Sequence, residues 1–332
     1  MTYMYFIGID ISKDSFEACL HASSEAPQGA KGDADTPQTC QFPNDTAGFS
    51  AFKAAYAEVL PQALVVLEAT GRYEQALLCW LIQAGVAVHR ASGLQTACFT
   101  RSLRLQGKTD RTDAVALARY AAERHAGLPL ATIPDDREAQ LDALLAYRQD
   151  ILAMKVAQQQ RVQHPRYAMC RDKVQKTLEF LSEDLADVEA EMMALVAQDT
   201  VSMAVMKVMQ TVPGVGKQTA LTLLTGMPEL GLMTRRQAAS LAGVAPHPKE
   251  SGKHQGYRAT RGGRSPVKKA LFMAALAASR GKSSLGDYYR RLVKEEGKKP
   301  IVALIATARK IITIINARLR DYFLLNLAFL GR

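Results

Sequence analysis

From Arg137 to Gln198 the chain reads as helix throughout, with one break at His164-Pro165, where proline removes a backbone donor and clashes with the preceding turn. Two long helices joined by so short a break fold most simply as an antiparallel hairpin. Within the second, Val174, Leu178, Leu181, Leu185, Val188, Met192 and Leu195 recur at 4-3-4-3 intervals, which is a coiled-coil seam rather than an ordinary amphipathic face. Such a hairpin serves either as an internal pair or as a dimerisation element. The expected organisation is therefore a helical coiled-coil spacer at 135–198 between an N-terminal domain at 1–126 and a C-terminal domain at 200–332. A hydrophobic content of 48% supports a real core in each.

The N-terminal stretch has a different rhythm. Tyr5 to Asp10 is a short apolar run ending in a carboxylate, and Phe16 to His21 follows a polar turn, so the two read as a hairpin. A Ser-, Gly-, Pro- and Asp-rich loop at 24–37 leads to a third strand near Thr39–Phe42. Asn44-Asp45 can cap a helix from about Ala47 to Val59. Ala63–Leu67 is a buried-type strand, Arg72–Ala84 has helical spacing, and Val86–His89 supplies a fifth strand. Three strands followed by alternating helix and strand predict a mixed α/β sheet flanked by helices.

Charge is distributed unevenly. Residues 1–199 hold 19 Lys/Arg against 26 Asp/Glu, a net −7, whereas residues 200–332 hold 23 against 6, a net +17. A basic C-terminal half fits a polyanion, because phosphate neutralisation and counterion release supply most nonspecific affinity for nucleic acid. The five cysteines, Cys19, Cys40, Cys79, Cys98 and Cys170, are scattered and never form C-x-x-C, so neither a disulfide framework nor a zinc site is expected, and the thiols read as buried and reduced. No apolar run approaches ~18 residues and the first residues lack a signal-peptide pattern, which predicts a cytoplasmic protein with no membrane partner.

Four acids stand at element ends: Asp10 after the first strand, Glu68 after the strand ending at Leu67, and Asp110 and Asp113 in Lys108-Thr109-Asp110-Arg111-Thr112-Asp113. An i, i+3 pair shares one helix face, and carboxylates from strand termini can converge at one sheet edge, which is the hard-oxygen donor set a two-metal Mg²⁺ site needs. Asp14, Glu17 and Glu74 compete for the same role. Asp110 could equally cap the helix that runs to about Glu123.

These residues carry a resemblance. Gly8-Ile9-Asp10-Ile11-Ser12-Lys13, Leu67-Glu68-Ala69-Thr70-Gly71 and Lys108–Ala114 look like the RuvC-like DEDD domain of the insertion-sequence one-ten transposases, to which the Piv-type DNA invertases are related. The resemblance implies an RNase H-like fold for 1–126. It makes Asp10, Glu68, Asp110 and Asp113 a tetrad for Mg²⁺, in two ions, with Mn²⁺ as a substitute.

In the C-terminal half, Val212-Pro213-Gly214-Val215-Gly216-Lys217 is a glycine hairpin entering a helix, and it looks like a helix-hairpin-helix element that holds phosphates through backbone N–H groups and Lys217. Further on, Glu250-Ser251-Gly252 precedes Lys253, Arg258, Arg261 and Arg264 on a glycine-rich cationic loop, where positive charge can face a phosphodiester's nonbridging oxygens. His247 and His254 flank Ser251, but no triad is spelled out.

The spacing from Ala245-Pro246 through Glu250-Ser251-Gly252, Gly256, Arg258 and Gly262-Gly263-Arg264 to Ala275 is similar to the C-terminal transposase domain of the same family. By position the family's nucleophilic serine, which forms a covalent phosphoserine link to DNA, maps to Ser251, with Ser265 and Ser240 as alternatives. The resemblance implies DNA partners (donor element ends and target) and, for many members, a guide RNA. Because tetrad and serine fall in separate domains, a homodimer or homotetramer is expected. The rival readings are a RuvC-like nuclease or junction resolvase with metal-bound water as nucleophile, and a nonenzymatic DNA-binding protein with no use for the acids.

Overall fold

The computed structural model describes residues 3–26, 39–69, 73–103, 109–133, 135–248, 250–251, 254–255 and 259–330. The chain divides into two compact units, Met1–Ile133 and Pro134–Arg332.

The first unit is a mixed α/β layer. Its strands are β1 (Tyr5–Ile11), β2 (Ser15–Ala22), β3 (Thr39–Pro43), β4 (Ala63–Glu68) and β5 (Ala87–Ala91), in the sheet order β3-β2-β1-β4-β5. β1, β2 and β3 pair antiparallel, while β4 and β5 run parallel to β1. Side chains alternate across the sheet, so each strand reads as two lists. Ile7, Ile9, Val65 and Leu67 pack with Phe49 and Phe52 of α1 (Thr46–Ala55) and Leu77 and Leu81 of α2 (Gln75–Gln83). Phe6, Leu64 and Val66 pack with Phe99 of α3 (Gly93–Ser102) and with Leu117 and Tyr120 of α4 (Asp110–Arg124).

Gly8 shares the second face, and there α4 comes down onto the strand. A β-carbon on Gly8 would stand 2.1 Å from the Ala118 nitrogen and 2.3 Å from the Ala114 carbonyl oxygen, so only a residue without a side chain fits. Two elements lie outside the sequence expectation. The helix expected to reach Val59 ends at Ala55, and α3 occupies a segment for which periodicity had suggested nothing. The thiols also depart from it: only Cys19 is buried, Cys79 is half-buried, and Cys40, Cys98 and Cys170 are exposed, although all five are free.

The second unit is helical apart from two short ribbons. α5 (Asp136–Gln163) is capped by Asp135, whose carboxylate accepts from the Glu138 N–H, and it stops where His164 turns extended before Pro165. A 3-10 turn, Pro165–Cys170, leads into α6 (Arg171–Ala197). α5 and α6 pack on each other, with Tyr147 donating to Asp184 at 2.8 Å and a largely buried Arg148–Glu189 ion pair at 2.6 Å. All seven residues of the 4-3-4-3 series on α6 are buried or half-buried. The helix pair shares its core with the rest of the unit: Leu145, Ile151, Leu181 and Met192 lie in the same cluster as Met209, Leu271 and Ile312.

α7 (Thr200–Gln210), α8 (Lys217–Gly226), α9 (Arg235–Leu241), α10 (Ser265–Arg280), α11 (Ser284–Lys294) and α12 (Pro300–Leu330) complete the unit. Between α9 and α10, β6 (Pro246–His247) pairs with β9 (Ala259–Thr260), and β7 (Glu250–Ser251) pairs with β8 (His254–Gln255). By length and composition Pro300–Asn326 is apolar enough to cross a membrane. In this unit it is the core helix, with Ala303, Ala308, Ile311, Ile312, Ile315 and Leu319 fully buried. Buried Asn316 ties it to the segment after α8, accepting from the Gly231 N–H at 2.9 Å and donating to the Met233 carbonyl at 2.7 Å.

The Gly8 contact yields a direct test. Gly8→Ala must push α4 off β1 and should cost about 2 kcal/mol or more, the scale of overpacking a close-packed interface. A urea midpoint equal to the parent's would show that α4 does not bear on Gly8.

Candidate active site

Strand parity, strand order and one helix start bring the four acids to one place. Asp10 lies two residues after Gly8 and Glu68 two after Val66, so both are on the face that receives α4. β1 and β4 are parallel neighbours in register at Ile9 and Leu67, which sets Asp10 and Glu68 at the same level at the strands' C-terminal ends. α4 begins beside them. Thr109 and Thr112 form a reciprocal cap there, which leaves Asp110 in the first turn and Asp113 one turn on. The cap role considered for Asp110 thus belongs to Thr109.

Asp10 registers the result. Burial pushes its carboxyl up, and the charges of Asp113, Asp110 and Glu68 push it further, to about 7. Glu68 is held from the other side by α3. The hydroxyl of Thr96, a residue 3% exposed, donates to Glu68 Oε2 at 2.9 Å, and Gly93 makes room for Oε1, which would lie 2.7 Å from a β-carbon there. Neither residue was singled out from sequence; a helix start at Ser92-Gly93 was the available signal.

The competing acids have other places. Glu74 is fully buried and paired with Arg90, which donates to it through Nε at 2.9 Å and Nη2 at 2.5 Å. Asp14 is exposed in the β1–β2 turn, and half-buried Glu17 is the cross-strand partner of Asp10.

Four hard-oxygen donors whose mutual repulsion already disturbs Asp10 are chemically suited to a divalent cation. Among the described residues, no three carboxylate, histidine or cysteine side chains are close enough to share one ion. The acids are within electrostatic reach of one another without forming a closed coordination sphere.

In the second unit the backbone of Ser251 lies in β7 opposite His254, and exposed His247 lies in β6 opposite Ala259. Lys253 and Arg258 fall outside the described residues. Arg261 is exposed. Arg264 is engaged: its guanidinium donates to both Glu229 carboxylate oxygens, at 2.6 and 2.8 Å, and to the Gly226 carbonyl at 2.8 Å. Burial pushes the Glu229 carboxyl up, but this pairing outweighs it and holds the group below its ordinary value.

Lys217 is exposed at the first residue of α8, after Gly216. Gly214 adopts φ +87°, and a β-carbon there would lie 2.3 Å from the Ala274 carbonyl, so this glycine lets the turn press on α10. The two alternative serines are both exposed, Ser265 at the start of α10 and Ser240 on α9.

A raised carboxyl favours folding while protonated. The contribution of Asp10 is therefore complete below its ordinary value and is lost as pH rises through about 7. Asp10→Asn should melt above the parent at pH 8, with the gap closing toward pH 4. A gap independent of pH would mean that the acids are not coupled.

Two family models match the chain. Residues 7–164 match DEDD_Tnp_IS110, described as transposase, and residues 206–290 match a model described as Transposase IS116/IS110/IS902 family. The pilin gene-inverting protein of Moraxella bovis is 27% identical over 322 residues, covering 95% of this chain and 96% of that protein, and its Moraxella lacunata counterpart matches to the same extent. An uncharacterized 43.6 kDa protein of insertion element IS110 from Streptomyces coelicolor is 37% identical over 116 residues, or 34% of this chain and 28% of that protein. The solved structure of Thermus thermophilus RuvC aligns over its whole length with 39% of this chain at 18% identity and a TM-score of 0.26.

Proposed function

Because this chain carries both IS110-family transposase domains and so belongs to that family of DNA-cutting and rejoining enzymes, we propose that it recombines the ends of an insertion sequence through a carboxylate tetrad and a covalent phosphoserine. The observation that supports this reading is geometric: Asp10 and Glu68 end the parallel neighbours β1 and β4 on the face that receives α4, and Asp110 and Asp113 lie in the first turn of that helix. The sheet order supports an RNase H-like, RuvC-like reading of residues 1–126. The packing of α5 on α6 along the 4-3-4-3 series supports the coiled-coil reading, and the turn at Gly214 between α7 and α8 supports the helix-hairpin-helix reading.

In this reading the Ser251 oxygen attacks phosphorus, the bond to the leaving deoxyribose oxygen breaks, and one strand end stays on serine. That linkage conserves bond energy, so a strand hydroxyl can displace serine and rejoin DNA. Asp10, Glu68, Asp110 and Asp113 would hold Mg²⁺, or Mn²⁺ in its place, which supplies positive charge against the scissile phosphate. Thr96 and Gly93 keep Glu68 in position.

Lys217, Lys253, Arg258 and Arg261 contact phosphates, while Arg264, tied to Glu229, chiefly shapes the loop. The excess of 23 basic over 6 acidic residues in 200–332 suits DNA, and it suits a guide RNA as a second polyanion. The full-length likeness to pilin gene-inverting proteins extends the reading to inversion as well as transposition. A homodimer or homotetramer acting in the cytoplasm completes it.

Two measurements test the proposal. With Mg²⁺ and supercoiled DNA bearing the element ends, the parent should form a denaturation-resistant adduct whose nucleotide maps to Ser251. Ser251→Ala should bind DNA almost as well yet form none, whereas Ser265→Ala should still form it. Cleavage by Ser251→Ala at the parent's rate would favour a water nucleophile instead. Separately, Mg²⁺ should raise the melting temperature of the parent at pH 8 more than that of Asp113→Asn. An equal rise would remove Asp113 from the cation site.

A further inference from the structure

A cavity of about 370 Å³ opens in the second unit against the ribbon from which β7 and β8 project. Pro246 of β6 and Thr260 of β9 form one wall, Ile301 and Ile305 of α12 another, and the Tyr288 ring of α11 and Arg309 of α12 close the lining. The volume is at the low end of the ~300–1,000 Å³ typical of small-ligand sites. Ile301 remains 54% exposed, so apolar surface faces water where a flat apolar body would cover it.

The surroundings are cationic. Lys310 Nζ sits 4.2 Å from the centre of the Tyr288 ring and the Arg291 guanidinium 5.4 Å from it, with Arg291 also pairing with Glu296 at 3.5 Å. Exposed Lys298 and Lys299 precede α12, and no acid lines the cavity among the described residues.

An apolar slot bearing one aromatic ring, with Arg309 in its lining and Lys310 against that ring, matches a group that is flat and apolar in its body but anionic along its attachment. A nucleobase on its sugar–phosphate strand is such a group. A base stacked in a duplex cannot enter, so the occupant is unstacked. Pro246 lies five residues before Ser251, a chain distance of at most about 18 Å, which puts the slot within a few nucleotides of the serine.

We infer that this cavity captures one unstacked nucleobase of the strand handled at Ser251, with its flanking phosphates against Arg309 and Lys310. The inference rests on the reading of the second unit as the nucleic-acid-handling part. Thr260 is the polar side chain at the ribbon wall, so selection among bases would depend on size and shape more than on hydrogen-bond pattern.

The test uses the full chain and single-stranded DNA carrying 4-thiothymidine at scanned positions, with photocrosslinks mapped by peptide mass spectrometry. Crosslinks should fall on Tyr288 or on the 301–309 peptide, and Ser251→Ala, which leaves the cavity intact, should give the same ones. Ile305→Trp fills the slot and should lose these crosslinks while binding DNA within about twofold of the parent, since the cations remain. Tyr288→Leu keeps an apolar wall without the ring and should weaken them, providing a second variant should tryptophan disturb α12. Crosslinks confined to other peptides, or unchanged in Ile305→Trp, would overturn the inference while leaving the serine adduct untouched. A change in sedimentation mass for Ile305→Trp without loss of crosslinks would assign the cavity to a subunit contact and overturn it as well. Loss of the Ser251 adduct from the parent would count against the recombinase reading instead.

Discussion

The first unit depends on one backbone-to-backbone contact, where α4 rests on β1 at Gly8 with no side chain between them. A normal residue there would hold the helix off by the thickness of a methyl group or more, and every distance from Asp10 to the start of α4 would lengthen. The contact is secured by apolar neighbours on either side, with Phe6, Leu117 and Tyr120 in one cluster and Cys19, Ala114 and Ala118 in another. Dispersion and burial at those residues offset the repulsion among four nearby carboxylates, which is otherwise a reason for α4 to leave. The core holds the acids within electrostatic reach of one another, and the proton affinity of Asp10 is raised first by its burial and then by the charges of Asp113, Asp110 and Glu68.

Much of this was legible because period and position carry it. A run such as Tyr5–Asp10 declares a strand, its parity declares a face, and acids at strand ends and a helix start can be paired on paper. What sequence hides is the third dimension of support. Thr96 reaches Glu68 across 28 positions, and Gly93 matters through the space it leaves; neither has a local signature. α3 is not legible in the sequence because GLQTACFTRS gives no clear apolar stripe, and its place is set by what Phe99 packs against. Glu74 illustrates the reverse difficulty: by position it is a carboxylate near the motif acids, yet Arg90 claims it.

In the second unit the excess of positive charge was plain from counting, but counting does not say which cations are committed. Arg264 sits amid the glycine-rich loop yet gives its planar fork to Glu229 and the Gly226 carbonyl, an arrangement lysine could not reproduce. Arg290 similarly donates to Asp287 and the Gly281 carbonyl, bracing the turn between α10 and α11. Exposed Lys217 and Arg261 have no such internal claims among the described hydrogen bonds and ion pairs. The frame and the polyanion surface draw on the same residue types, and only geometry separates them.

The placement of α12 has a consequence for how the molecule is made. Its residues from Ala303 to Leu319 fill the centre of a core that begins with Leu141, so the unit cannot close until a ribosome has delivered both ends of that span. The sheet, by contrast, has all its strands in hand by Ala91 and α4 by Arg124. Co-translational folding would therefore proceed in two instalments, with an apolar helical intermediate exposed between them. A message interrupted before Pro300 would yield a product that retains the acids but lacks the centre of the second core, a target for proteolysis rather than a half-competent enzyme.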